Sequence, residues 1–292
     1  MAVAATVEES DAREGTIIGA RWQIVRKLAE GGMGAVYVAR HNVTGRFAAL
    51  KVMNQIDSSD DSALTRFRRE ARAAADIGHP GIAEVYDADV DPDSGQVYMA
   101  MELLDGESLR ATIESKRCDK DEVVKIVLEL LEPLAAAHER GCVHRDLKPE
   151  NIFICYPGTA RRKVKLLDFG IARFDDATHL TRTGTVMGTP HYMSPEHATD
   201  AKGVTPAADV WAVGVLLYEM LSGCLPFEGT TLHAVIVNAC TQPHASLSER
   251  SADLPVELVA LVDRCLSKDP AERFTDAADL GKGLAALLPK PA

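Results

Sequence analysis

Hydrophobic and polar positions alternate from Arg21 to Ala29, with Trp22, Ile24 and Leu28 on the apolar side, and again from Ala35 to Arg40. A period of two marks a half-buried strand, so both stretches are predicted as strands. Phe47 to Val52 is a third, more apolar run with Lys51 inside it. From Asp61 to Ile77 the period lengthens to that of a helix, and His79-Pro80 stops it, because the residue before a proline is driven out of the helical region. Two further strands are predicted over Ile82–Asp87 and Gln96–Met101, on either side of the turn-forming Asp91-Pro92-Asp93-Ser94-Gly95. Beyond residue 108 helical spacing takes over. Val123, Val127, Leu130, Leu134 and Ala137 recur at intervals of four and three, with Pro133 predicting a kink or an adapted turn. Ile152–Cys155 and Val164–Leu167 read as strands. Thr205-Pro206 reads as the N-cap and first residue of a helix whose Val210–Leu221 stretch is apolar nearly all round and must be buried. Amphipathic segments over 230–238, 255–267 and 275–288 complete the pattern, with no internal repeat.

Strands followed by helices argue an α+β fold. Up to Met101 the pattern predicts five strands and one helix, and beyond residue 108 a mainly helical region. Residues 1–15 are small, acidic and aperiodic, and are expected to form a disordered leader. The net charge of −11 argues against nucleic acid as the main partner, because a phosphate backbone demands a basic face. Six scattered cysteines without a Cys-x-x-Cys pair are expected to be free thiols in a reducing, cytoplasmic setting. Glu8, Glu9, Asp11 and Glu14 argue against a signal peptide, and the longest apolar run, Val210–Tyr218, is too short to span a bilayer.

The chemistry concentrates in His144-Arg145-Asp146-Leu147-Lys148-Pro149-Glu150-Asn151, between a predicted helix and a predicted strand. Loops held by such a scaffold aim side chains at ligands. Asp146 can orient a hydroxyl, Asn151 can offer an amide oxygen to Mg²⁺, and Lys148 sets a cation between them; phosphoryl transfer needs these parts. Upstream, Gly31-Gly32-Met33-Gly34 forms a glycine-rich hairpin turn whose backbone could approach phosphate oxygens. Lys51 in its apolar strand needs an anionic partner. Downstream lie Asp168-Phe169-Gly170 and a long aperiodic stretch, 171–196, bearing Thr178, Thr181, Thr183, Thr185 and Thr189.

The order H-R-D-x-K-x-x-N resembles the catalytic loop of protein kinases, and Gly31, Gly34 and Val36 fit the end of the kinase pattern G-x-G-x-x-G-x-V. Gly188-Thr189-Pro190-His191-Tyr192-Met193-Ser194-Pro195-Glu196 resembles the substrate-docking loop and its closing triplet, with Ser194 in place of alanine. Together these motifs look most like bacterial eukaryotic-like (Hanks-type) serine/threonine protein kinases. The resemblance implies a bilobal fold, with a five-stranded antiparallel sheet and one helix over about 16–101, a hinge at 102–107 and a mainly α-helical lobe over 108–288, and the use of ATP with Mg²⁺, Mn²⁺ being the alternative, on protein substrates. It implies catalytic roles for Asp146, Lys148, Lys51 and Glu70, and metal binding by Asn151 and Asp168. Nucleotide binding falls to Ala29, Gly31, Gly32, Gly34, Val36, Ala49, Lys51, Met101 as gatekeeper, Glu102, Leu104 and Phe153. Ala29 departs from the pattern's first glycine, and the narrower backbone freedom is expected to weaken ATP binding by about 0.5–1 kcal/mol. The resemblance further implies that Asp209 holds the backbone of the catalytic loop and that Arg273 pairs with Glu196. It implies autophosphorylation at Thr181 or Thr183 through a transient homodimer. A non-catalytic member of this fold would lack Lys51, Asp146, Asn151 or Asp168, and all four are present. A small-molecule kinase would lack the extended segment and its Ser-Pro-Glu closure.

Overall fold

The computed structural model describes residues 12–31, 34–53, 60–115, 118–168, 190–199, 203–251 and 253–288, without the side chains of residues 62, 66, 70 and 73. The chain divides into two compact units. One runs to Ala75 and resumes at Glu84–Leu104; the other takes Asp76–Ala83 and the chain from Asp105 onward.

The first unit is sheet-rich. Its strands are β1 (Ile17–Ile18), β2 (Trp22–Gly31), β3 (Gly34–His41), β4 (Phe47–Met53), β5 (Val85–Val90) and β6 (Val97–Met101). They form an antiparallel sheet in the order β1-β2-β3-β4-β6-β5, which is six strands where five were expected. The extra strand is β1, whose two residues pair with Gln23 and Trp22. Two residues are too few for a period to show in the sequence. Residues 12–15, expected to belong to the leader, make a turn in which Thr16 N–H donates to Arg13 O at 3.0 Å, and Gly15 N–H ties it to β2 by donating to Ile24 O at 2.9 Å. Trp22, Ile24, Tyr37, Leu50, Val52 and Tyr98 make the core of this unit. Helix α1 (Asp61–Ile77) buries Leu64, Phe67, Ala71 and Ala74, a stripe at intervals of three and four. β5 starts at Val85 rather than Ile82. The main chain of Gly81 and Ala83 is committed elsewhere: Leu166 N–H donates to Gly81 O at 2.8 Å and Ala83 N–H to Leu166 O at 2.9 Å.

The second unit is mainly helical. Its elements include β7 (Gly106–Ser108), α2 (Leu109–Glu114), α3 (Lys120–Glu139), β8 (Ile152–Cys155), β9 (Lys163–Leu166), α4 (Pro195–Thr199) and α5 (Pro206–Ser222). α6 (Leu232–Thr241), α7 (Leu247–Arg250), α8 (Val256–Cys265) and α9 (Ala277–Ala285) follow. β7, β8 and β9 form a small antiparallel sheet, so the last residues of the expected 102–107 connection begin a strand. The side chain of Asp119 caps α3 by accepting from Glu122 N–H at 2.9 Å. The helix runs through Pro133, whose buried ring packs on Gly81 closely enough that a Cβ there would stand 3.0 Å from it. α5 is buried from Ala207 through Glu219, as its all-round apolarity requires. Gly214 lets α8 approach α5, because a Cβ at this position would lie 2.6 Å from that of Cys265. Among the described residues no helix is long and apolar enough to cross a membrane.

Candidate active site

In the second unit, α3 ends at Glu139 and β8 begins at Ile152; the loop between them carries the charged cluster. Asp209, in the first turn of α5 and 1% exposed, holds that loop from below. Its Oδ2 accepts His144 N–H at 2.8 Å and its Oδ1 accepts Arg145 N–H at 3.0 Å. Burial alone would raise the Asp209 carboxyl, but the hydrogen bond from His138, the nearby His144 and His138 rings and the His144 N–H hold it below its ordinary value. Arg145 sits in the left-handed region at φ 64°, which costs a non-glycine residue about 1 kcal/mol, and Asp209 grips the two peptides that lead into it. His144 is fully buried. Its Nδ1 accepts Asp146 N–H at 3.3 Å, so Nε2 carries the ring proton and donates to Leu167 O at 2.9 Å.

Asp146 Oδ2 accepts from Lys148 Nζ at 2.9 Å and from Asn151 Nδ2 at 3.0 Å. Asn151 Nδ2 also donates to Asp146 O at 2.8 Å, which leaves the amide oxygen of Asn151 as the group it can offer a cation. Leu167 N–H donates to Asn151 O at 2.9 Å and so fixes the strand exit that leads to Asp168. Asp168 is again left-handed, at φ 49°. Phe169 and Gly170 lie outside the described residues, as do the threonines from Thr178 to Thr189. An amide oxygen and a carboxylate are hard donors that suit Mg²⁺, which takes few protein ligands and completes its shell with water and phosphate. Among the described residues no group of three or more His, Cys, Asp or Glu side chains could hold a metal ion.

The first unit presents all but one of the other predicted residues. Gly31 pairs with Gly34 to close the β2–β3 hairpin, and Gly32 lies outside the described residues. Gly34 is at φ 142°, where a Cβ would stand 2.0 Å from Val52 O, so no other residue fits. Ala29 and Val36 are cross-strand partners just beyond a bulge in β2. Lys51 on β4 stands between Val36 and Met99, and Ala49 between Val38 and Met101. Glu70 is on α1, with its side chain outside the described residues. Glu102 N–H donates to Glu84 O at 2.8 Å, and Leu104 closes this unit. Phe153, half-buried on β8 of the second unit, pairs with Ser108 and Lys165.

The sequence pattern of the protein kinase domain matches residues 22–282. The chain belongs to the protein kinase domain family. It is 37% identical over 279 residues to the serine/threonine-protein kinase PknA of Mycobacterium tuberculosis, covering 94% of this chain and 63% of that one. It is 35% identical over 268 residues to a probable serine/threonine-protein kinase PknB of Lactococcus lactis, covering 91% of this chain and 42% of that one. The chain thus spans less than two-thirds of either relative. The crystal structure of the Mycobacterium tuberculosis PknI kinase domain matches with a TM-score of 0.74 at 28% identity, covering 94% of this chain and 98% of that one.

Two anchors complete the larger lobe of this kinase domain. Arg273, buried with its whole side chain, forks its guanidinium onto Glu196 at 2.7 and 2.9 Å and also donates to the carbonyls of Ala207, Ser267 and Lys268. Burial would raise the Glu196 carboxyl, but Arg273 outweighs it and holds it below its ordinary value. The other anchor was not anticipated. Arg110 on α2 reaches Glu150 at 3.0 Å, Glu219 at 2.7 Å and the Tyr192 hydroxyl at 2.7 Å, and Tyr192 donates to Glu219 at 2.5 Å. A signal did exist in the sequence. A glutamate inside the apolar run of α5 cannot stay buried without a partner, and Glu219 announces one.

Proposed function

We propose that this kinase domain transfers the γ-phosphoryl group of ATP to serine and threonine hydroxyls of proteins. The observation that carries the reading is the Asp146 carboxylate bound by Lys148 and Asn151 on a loop that Asp209 pins. The names of the relatives, serine/threonine-protein kinases in each case, support it. Asp146 orients the acceptor hydroxyl and takes its proton late, since a loose transition state builds little charge on the attacking oxygen. Lys148 presents its cation to the moving phosphoryl group. Asn151 and Asp168 hold Mg²⁺, with Mn²⁺ as the alternative. When bound, the cation neutralises charge on the phosphate oxygens. Lys51, braced by Glu70, takes the α- and β-phosphates, under the loop of Gly31, Gly32 and Gly34. Ala29, Val36, Ala49, Met101 and Phe153 line the base, read by the Glu102 carbonyl and the Leu104 N–H. Protein substrates, a cytoplasmic setting and activation by autophosphorylation through a transient homodimer belong to the same reading.

The test is incubation of the purified domain with γ-labelled ATP, Mg²⁺ and a generic basic protein acceptor. Label on serine and threonine, lost with chelator and with Asp146→Ala, is expected. A domain that binds Mg-ATP but labels neither itself nor any acceptor would overturn the reading.

A further inference from the structure

The last turn of α6 lacks a backbone donor for one of its carbonyls. Gln242 N–H still reaches Asn238 O at 2.9 Å, but the next residue, Pro243, has no N–H to offer Ala239 O. Lys268, just after α8, donates from Nζ to that oxygen at 2.6 Å. A cation also suits the negative end of a helix. The same ammonium lies over the Phe227 ring at 3.9 Å and over the Trp211 ring at 5.0 Å. Trp211 belongs to α5 and Phe227 to the connection between α5 and α6, and their rings stack 5.5 Å apart with an interplanar angle of 7°. One charged group thus meets α5, α6 and the chain that joins them.

For packing alone this lysine is a poor choice. Among the described residues it has no carboxylate partner, and burial, with Arg273 adding to it, brings its amine down to about 8. The folded chain therefore disfavours the charge, and a methionine would fill the same space without that cost. What the ammonium supplies is a directed, charge-assisted bond to the end of α6. Two other side-chain bonds of this helix stay local: Thr231 accepts Ala234 N–H at 3.1 Å, and Asn238 donates to Glu228 O at 2.7 Å. α6 in turn packs on α4 and on the turn Pro190–Tyr192, within the stretch that resembles the substrate-docking loop. We infer that Lys268 is a positioning residue for the protein acceptor: its ammonium fixes the last turn of α6 on α5, and α6 holds the Pro190–Tyr192 turn in place. Lys268 touches neither acceptor nor reacting atoms on this view, and the kinetic part of the inference rests on the proposed phosphoryl transfer to proteins.

Two variants separate charge from bulk. Lys268→Met keeps the length of the side chain and removes the charge, whereas Lys268→Arg keeps the charge and a donor for Ala239 O. Both are compared with wild type for KM toward the basic protein acceptor, KM for ATP, kcat, melting temperature and hydrogen exchange of the α6 amides. Lys268→Met should raise KM for the acceptor at least about fivefold, with kcat and KM for ATP within about twofold. Its melting temperature should stay within a few degrees of wild type or rise, because an apolar side chain strands no charge. Exchange of the α6 amides should rise at least about tenfold in Lys268→Met and stay near wild type in Lys268→Arg. An acceptor KM unchanged in Lys268→Met would overturn the inference. So would equal losses in both variants that follow a fall in melting temperature, which would reduce Lys268 to packing. Unchanged α6 exchange in Lys268→Met would overturn it as well. The exchange readout needs no catalysis, so an inactive wild-type domain would count against the proposed function and leave that test standing.

Discussion

Removing the Glu196 carboxylate isolates a buried guanidinium, and the structure sets the size of the effect. The Arg273 side chain is 0% exposed and that of Glu196 20% exposed. In Glu196→Ala the guanidinium keeps the carbonyls of Ala207, Ser267 and Lys268 but loses the carboxylate that neutralises it. Breaking one side of a buried ion pair costs about 3–5 kcal/mol. Water can reach the gap through the partly exposed Glu196 position, which puts the loss at the lower end, about 3 kcal/mol. For a lobe of roughly 200 residues this lowers Tm by about 6–12 °C. Glu196→Leu with Arg273→Met should recover most of the loss, because an apolar pair strands no charge. The pH dependence has a definite sign. Arg273 depresses the folded-state pKa of Glu196, so the pair's stabilisation is present above the ordinary value of 4.5 and fades as pH falls through the depressed value. The difference between wild type and Glu196→Ala should therefore shrink below about pH 4.5. Urea unfolding followed by tryptophan fluorescence suits the measurement, since Trp211 lies under Arg273 at 4.9 Å. A single variant that loses less than about 1 kcal/mol, or a double variant no better than the single, would refute the reasoning.

Asp146→Ala and Lys51→Met should each abolish phosphoryl transfer with Tm within a few degrees of wild type; activity above a few per cent in a radiometric assay would remove that residue from its role. Ala29→Gly should leave KM for ATP unchanged within about twofold, contrary to the sequence-based expectation, because Ala29 already lies in a paired strand open to any residue. A clear fall in KM would restore that expectation. Thr181 or Thr183, which lie outside the described residues, should carry phosphate after incubation with Mg-ATP, absent from a Lys51→Met control, since the family resemblance implies that a phosphothreonine there meets Arg145. A Thr181/Thr183 double alanine variant with full activity would contradict it.

The catalytic loop was legible because its chemistry is written in consecutive residues, from His144 to Asn151. α1 was legible to its first and last residue, since Leu64, Phe67, Ala71 and Ala74 keep a helical period and Gly78 and Pro80 end it. The resemblance correctly implied the Asp209 and Arg273 contacts, which periodicity alone could not pair across 64 to 77 residues. β1 escaped because two residues carry no period. β5 was misplaced because the apolar Ile82 and Ala83 belong to another unit's packing, a long-range fact with no local signature. The Arg110 cluster was missed for a similar reason: its members come from four separate elements, and only the awkward burial of Glu219 hints at it.

The allegiance of Asp76–Ala83 to the second unit has a consequence for the order in which the chain can fold on the ribosome. Once Met101 has emerged, every strand of the six-stranded sheet is available to pair. Gly81 and Ala83 must wait longer, because their main-chain partner is Leu166. At about 5–20 residues per second the interval is roughly 3–13 s, long on the scale of hairpin and helix formation. During it the stretch ending α1 has no sheet to join, although the strands on either side of it do. A nascent or truncated product that stops at Leu104 thus holds one unit together with a stray piece of the other.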